Sequence, residues 1–237
     1  IIEERCLLVF MQFAKALFFS NVQQHPTTFS NRNTVMIEDL CKAIEFTMSL
    51  YNEICKDSYA KEINGQLNLK RTSVKQMFLN KSTYEYVIDY LAYLSENPMQ
   101  LAYSDLRLSN AEVRVRTKAK NSLDNKIATY CQFHNDGDIP LKKCINDLFG
   151  VRVIFDEEFE HDDVYNIVSN NYPHLRCIDS SKNGYKATHI YISKANDNKF
   201  FPWELQVWEK KYEKSNIASH AKYKEGYINW EKKTEGG

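Results

Sequence analysis

With 237 residues and 43% hydrophobic side chains, the chain can bury a full core, which excludes intrinsic disorder as its ground state. Its 31 basic and 31 acidic side chains leave no formal net charge. Nothing global therefore draws it onto a long nucleic-acid backbone or an anionic membrane, and any polyanion must be held by a local patch.

The opening stretch, IIEERCLLVFMQFAKALFF, repeats apolar residues at helical spacing through Leu7, Phe10, Met11, Ala14, Leu17 and Phe18. Acids at its start and Lys15 within it argue against a signal peptide and against a bilayer span, and leave a buried amphipathic helix. A turn-rich linker, QQHPTTFSNRN, leads to a second amphipathic helix carried by Ile37, Leu40, Cys41, Ile44, Met48 and Tyr51. Ser82-Thr83 is placed to cap a third through Tyr84, Val87, Leu91 and Leu94, ended by Asn97-Pro98. Residues 1–100 thus form a helical N-terminal region.

From about Ala111 the texture changes. EVRVRTK alternates like a strand, SLDNKIATYCQF is helical and GVRVIF is a short β-branched run. Asp162 to Asn171 is helical, LRCID extended, THIYIS and WELQVW strand-like, and Lys210 to Glu225 helical again. Such alternation suggests a mixed β-sheet covered by helices over residues 101–225, with 226–237 as a tail. The six cysteines are scattered without a C-x-x-C pair. That argues against a zinc cluster or a disulfide scaffold and suits a reducing cytoplasm.

No phosphate-binding glycine loop, dinucleotide fingerprint or H-E-x-x-H motif is present, and with only seven glycines any phosphates must be held by side chains. Arg116, Lys118, Ser122 and Lys126 lie where a strand runs into a helix and are able to converge on a triphosphate. A solvated strand edge has the same composition. In NDLFGVRVIF, Asp147 precedes a strand on which Arg152 opposes Val151 and Val153, although Gly150 as a turn with Asp147 as a surface residue gives the same pattern. SSKNGYKATHIYIS is a polar loop with Tyr185 at its tip, a ring able to stack on a base or simply to pack on the surface. In WELQVW, Glu204, Gln206 and Trp208 share one strand face, and Glu204 is able to join Asp147 in holding magnesium. NIASHAKYK sets Asn216, His220, Tyr223 and Lys224 along a helix.

Taken in order, R-x-K-x-x-x-S-x-x-x-K, D-x-x-G-V-R, N-G-Y-K-x-x-H, E-x-Q and N-x-x-x-H-x-x-Y-K resemble the RelA/SpoT synthetase family over Ala111 to Lys224. The resemblance implies an α+β fold with a nucleotidyltransferase-like mixed β-sheet flanked by helices, and a pyrophosphokinase that moves the β,γ-pyrophosphate of ATP, with Mg2+, to a ribose 3′-hydroxyl. It implies that Arg116 and Arg152 sandwich the adenine and that Lys118, Ser122 and Lys126 contact the ATP phosphates. It implies that Asp147 holds the metal and that Glu204 is the second carboxylate, binding the metal or drawing the proton from the attacking hydroxyl. Tyr185 stacks on the acceptor base, and Lys186, His189, Gln206, Asn216 and His220 belong to the acceptor side.

One departure matters. Long family members follow E-x-Q with an aliphatic residue and arginine, whereas here Trp208 stands at the arginine position. This variant is most similar to the toxic small alarmone synthetases, which leaves the acceptor open between the 3′ CCA end of tRNA and a guanosine or adenosine nucleotide. That branch implies a neutralising antitoxin as a partner and no membrane. Basic pairs at Lys70 and Arg71, Lys142 and Lys143, Lys210 and Lys211, and Lys222 and Lys224 are the candidate tRNA contacts. A hydrolase-type histidine-aspartate pair is not evident, since the N-terminal half offers only His25. An inactive nucleotide- or RNA-binding module is the alternative of another class, but Asp147 and Glu204 are both intact. A nucleotide-monophosphate transferase calls for a G-S and a strand-borne D-x-D, and the only D-x-D, Asp136-Gly137-Asp138, lies in a turn-like stretch.

Overall fold

The computed structural model describes residues 31–57, 67–96, 106–194 and 197–219. The chain divides into residues 1–34 and residues 35–237. Of the first unit only the opening turn of one helix is described, so the helix expected over Leu7 to Phe18 lies outside the described residues, as do Asn97-Pro98 and His220, Tyr223 and Lys224.

Helix α1 (Asn31–Lys56) begins within the expected linker. Met36, Leu40, Ala43, Ile44, Thr47, Leu50, Tyr51 and Ile54 recur every three or four residues and are all buried. Helix α2 (Val74–Leu79) opens on a capping box in which Ser73 and Gln76 exchange side-chain and backbone hydrogen bonds. Helix α3 (Lys81–Glu96) buries Val87, Tyr90, Leu91 and Leu94. Its cap is not Ser82 or Thr83 but Asn80, whose Oδ1 accepts the Thr83 N–H at 3.1 Å while its own N–H closes α2. An asparagine bonds its own flanking backbone so well that it ends one helix and starts the next.

The remainder alternates as the periodicity requires: β1 (Ala111–Thr117), α4 (Lys120–Phe133), α5 (Leu141–Cys144), β2 (Phe149–Phe155), α6 (His161–Asn171), β3 (Arg176–Asp179), β4 (Thr188–Ile192) and β5 (Trp203–Glu209). A 3-10 turn over Lys210–Tyr212 leads into a helix described over residues 213–219. Asp136-Gly137-Asp138 falls in and just after a 3-10 turn, as expected of a D-x-D that carries no strand chemistry. The fold is α+β: five strands in the order β1-β2-β5-β4-β3, with β2 and β5 parallel and the other pairs antiparallel. Among the described residues no helix is long and apolar enough to cross a membrane.

Period-2 alternation gives the sheet two unlike faces. Val151, Val153, Ile190, Leu205 and Val207 join the helical residues in one core. Trp203 is its hub, 4.1 Å from Phe149 and 5.3 Å from Tyr51 between ring centroids, and each such buried ring contributes about 2 to 3 kcal/mol. The opposite face carries Arg114 and Arg116 from β1, Arg152 from β2, Glu204, Gln206 and Trp208 from β5, and His189 and Tyr191 from β4. Gly150, opposite Glu204 in the register, lies inside β2 and is no turn. A Cβ there would meet the Glu204 carbonyl oxygen at 3.4 Å and the Arg116 side chain at 3.7 Å.

Asp39 locks α1 to the start of the sheet. Its carboxylate is 1% exposed and accepts the backbone N–H groups of Ser109 and Asn110 at 2.8 and 3.0 Å. Asp39→Ala leaves those donors without their partner and is expected to cost about 2 kcal/mol of stability in urea unfolding. Asp39→Asn, which keeps one acceptor, is expected to cost less; equal, negligible losses would show that the lock does not hold the sheet edge.

Candidate active site

The site face is assembled by adjacency of strand ends. Antiparallel pairing of β1 with β2 sets Thr117 opposite Phe149, so the residue after β1, Lys118, meets the one before Leu148, Asp147. Lys118 Nζ lies 2.7 Å from one Asp147 oxygen, and Lys126 Nζ, from the second turn of α4, lies 3.1 Å from the other. Burial works against ionisation of Asp147, but the two ammonium groups outweigh it and hold the carboxyl down at about 2. The same burial lowers Lys118, while Asp147 raises Lys126 despite it. Of the four residues expected to converge, Lys118 and Lys126 do so on Asp147. Ser122 sits half-buried on the first turn of α4, and Arg116 turns instead toward Glu204, at 3.9 Å.

Glu204 is the centre of the second cluster. The register of β5 between β2 and β4 places it beside Gly150 on one side and Tyr191 on the other. It is 5% exposed, and its Oε1 receives His189 Nδ1 at 2.8 Å and the Tyr191 hydroxyl at 3.4 Å. Gln206 Nε2 donates to Oε2 at 2.6 Å. Burial opposes the charged form of Glu204, yet His189 and Gln206 lower its pKa on balance. Gln206 in turn accepts Arg152 Nε at 3.0 Å, and the Arg152 guanidinium lies 3.6 Å over the Trp208 ring. Burial, reinforced by the charge of Arg116, brings Arg152 down to about 10. Trp208 Nε1 donates to the Tyr185 hydroxyl at 3.2 Å, and that oxygen lies 2.9 Å from His189 Nε2. Glu204, His189, Tyr185, Trp208, Arg152 and Gln206 thus close a ring of contacts.

Tyr185 is not at the loop tip. The tip is Asn183-Gly184, both at positive φ (50° and 84°), in a two-residue hairpin closed by paired backbone hydrogen bonds of 2.9 Å between Lys182 and Tyr185. Such a turn requires positive φ at both central residues, which Asn-Gly supplies readily. Tyr185 follows it, and burial pushes its phenol up to about 12. Lys186 is exposed, but its backbone N–H and carbonyl are both held at 2.8 Å by the amide of fully buried Asn216. Asn216 therefore fastens the loop to the C-terminal helix. His220 lies outside the described residues. Tyr191 was missed from the sequence, although it shares strand parity with His189 and reaches Glu204 directly.

Residues 115–227 match the model of a region found in RelA / SpoT proteins. No curated protein matches the chain. Among solved structures, small alarmone synthetase 1 from Bacillus subtilis bound to its product pppGpp is 17% identical over 60% of this chain and 78% of that one, with a TM-score of 0.34. The same protein bound to AMPCPP is 16% identical over 61% and 76%, with a TM-score of 0.32. A GTP pyrophosphokinase family protein from Streptococcus pneumoniae is 19% identical over 60% and 73%, with a TM-score of 0.35.

A carboxyl held below its ordinary value of 3.8 adds stability that is present above that pH and is lost as pH falls toward about 2. Urea midpoints measured from pH 5 to pH 2 are therefore expected to fall less steeply in Asp147→Asn than in the unsubstituted protein. Parallel slopes would show that the two lysines do not perturb Asp147.

Proposed function

The chain carries a RelA/SpoT-type synthetase domain over residues 115–227, and from that premise we propose that it is a pyrophosphokinase moving the β,γ-pyrophosphate of ATP to a ribose 3′-hydroxyl. The observation that carries this reading is a pair of carboxylates at adjacent parallel strands, half-buried Asp147 just before β2 among lysines and buried Glu204 on β5 among neutral and imidazole donors. Among the described residues no group of three or more His, Cys, Asp and Glu side chains is placed to hold an ion. Two carboxylates fit magnesium when substrate phosphates complete its shell, the arrangement that ion favours. Asp147 and Glu204 are the residues that would hold it, and the bound ion would neutralise phosphate charge.

The protein's own part is positioning and charge. Lys118 and Lys126 balance Asp147 in the resting site and exchange part of that bond for ATP phosphate oxygens, with Ser122 beside them on α4. Arg116 and Arg152 flank the adenine; Arg152, already flat on Trp208, loses little freedom on meeting a second ring. Glu204 stays ionised and accepts the proton of the incoming hydroxyl, a modest demand because phosphoryl-type transfer needs no strong base. His189 and Gln206 hold that carboxylate in place. Tyr185 and Lys186 meet the acceptor.

We place the acceptor ribose at the 3′ CCA end of tRNA, because Trp208 occupies the position where a cation would otherwise read acceptor phosphate. Modification there would block aminoacylation and arrest translation, and a neutralising antitoxin would then be the expected partner. The free-nucleotide reading has its own support: Lys210 and Lys211, two candidate tRNA contacts, are paired with Glu112 and Glu213 and with Glu158 and Glu209. Such exposed pairs are weak and open to competition by phosphate.

With ATP labelled at the γ-phosphate and magnesium, label is expected on deacylated tRNA in preference to GDP, GTP or ATP offered separately. Glu204→Gln is expected to lower transfer at least a hundredfold. Label recovered only as free phosphate, or unchanged transfer by Glu204→Gln, contradicts the mechanism; label on a nucleotide alone moves the acceptor to the free-nucleotide reading. Tyr185→Ala is expected to remove most acceptor use while ATP binding stays near normal, and equal loss of both would show that Tyr185 is not on the acceptor side.

A further inference from the structure

Trp208 has no group to lend to phosphoryl transfer, yet it is fully buried on the charged face of the sheet and not in the core behind it. Strand alternation puts it there, in line with Glu204 and Gln206. An indole N–H only donates, and burying it requires an acceptor. It finds the Tyr185 oxygen at 3.2 Å. That phenol ring stands edge-on to Trp208, at 85° and 5.8 Å between centroids, and edge-on to His189, at 82° and 5.9 Å. Two neighbours thus hold the Tyr185 hydroxyl, and the Asn-Gly turn fixes its backbone through paired hydrogen bonds with Lys182.

The flat face of the same indole carries the Arg152 guanidinium at 3.6 Å. Arg152 sits at register with Gln206, two residues short of the Ile154–Trp208 pair on the same face, so its side chain runs along the strand to reach the ring. Its Nε–H···Gln206 bond at 3.0 Å sets the plane of the guanidinium. Edge and face of one side chain therefore serve two different groups. Packing alone does not require this division: an aliphatic residue would fill the gap beside Ile154 and Ala187 but would serve neither.

We infer that Trp208 is a positioning residue tying the two half-sites together, its ring face holding Arg152 for the ATP base and its indole N–H holding Tyr185 for the acceptor. This rests on the assignment of Arg152 to the donor side and Tyr185 to the acceptor side proposed above. The two contacts act through different atoms, so they can be removed separately. Trp208→Phe keeps an aromatic face and removes the N–H; Trp208→Leu removes both.

ATP-site occupancy is read by calorimetry with a non-hydrolysable ATP analogue and magnesium, and acceptor use by KM and kcat of label transfer. In Trp208→Phe the analogue is expected to bind within about twofold of the unsubstituted protein, while the acceptor KM rises about fivefold, the loss of one hydrogen bond. In a Tyr185→Phe background the same substitution is expected to add nothing, since the partner hydroxyl is already gone. Trp208→Leu is expected to weaken analogue binding about tenfold as well. Equal effects of the Phe and Leu substitutions on analogue binding, or effects of Trp208→Phe and Tyr185→Phe that multiply, would overturn the inference. So would a fall in melting temperature with both affinities unmoved, the mark of packing alone. Should the unsubstituted protein transfer label to no acceptor, the function reading fails, while the calorimetric comparison of Phe with Leu still decides the ATP-side contact.

Discussion

A carboxylate buried on one face of a sheet cannot stay ionised unless its oxygens are met by donors, and the arrangement of this site follows from meeting that requirement at Glu204. The acid is fixed in position by parallel pairing of β5 with β2, which leaves it beside Gly150, where the absence of a side chain lets Arg116 cross the strand. His189 and Tyr191 reach it from β4, and Gln206 from its own strand. Those donors are themselves bound outward, His189 to Tyr185 and Gln206 to Arg152, and Trp208 joins the two ends. The ring is a consequence of satisfying one buried charge with groups that each need a second partner.

Asp147 solves the same problem differently. Its oxygens are met by two ammonium groups, so the local charge is positive and suits an ammonium that exchanges its bond to Asp147 for one to a polyphosphate oxygen. Glu204 is surrounded by donors that are neutral or imidazole, with a single arginine at 3.9 Å. The two carboxylates are therefore not equivalent. One sits in a cationic pocket suited to a triphosphate; the other sits beside His189 and Tyr191 of β4, with Tyr185 bound to His189, suited to a hydroxyl and a base. Behind both, the core around Trp203 keeps the strands in register, and a slip of one residue would exchange Glu204 with Leu205.

Much of this was legible in the sequence because a period of two is hard to disguise. EVRVRT, GVRVIF, THIYI and WELQVW give the strands and the shared face of Glu204, Gln206 and Trp208 directly. What escaped was set by partners far along the chain. That Arg116 would lean to Glu204 while Lys118 turned to Asp147 depends on the β1–β2 register. That Asn216 would spend its amide on the backbone of Lys186 depends on how the helix over residues 213–219 docks. Other signals were present in the sequence: S-x-x-Q at Ser73 is a capping box, Asn80 is a better cap than Ser82, Asn183-Gly184 specifies a two-residue hairpin turn where a polar loop with Tyr185 at its tip was expected, and Tyr191 shares the parity of His189.

The central claim is that both carboxylates serve transfer of a pyrophosphate, as opposed to a nucleotide or a single phosphate. Running the reaction in parallel with ATP labelled at the α-phosphate and at the γ-phosphate tests it most directly. The account predicts γ-label in the acceptor and α-label recovered as AMP in equal amount. α-Label in the acceptor, or ADP as the nucleotide product, would contradict it.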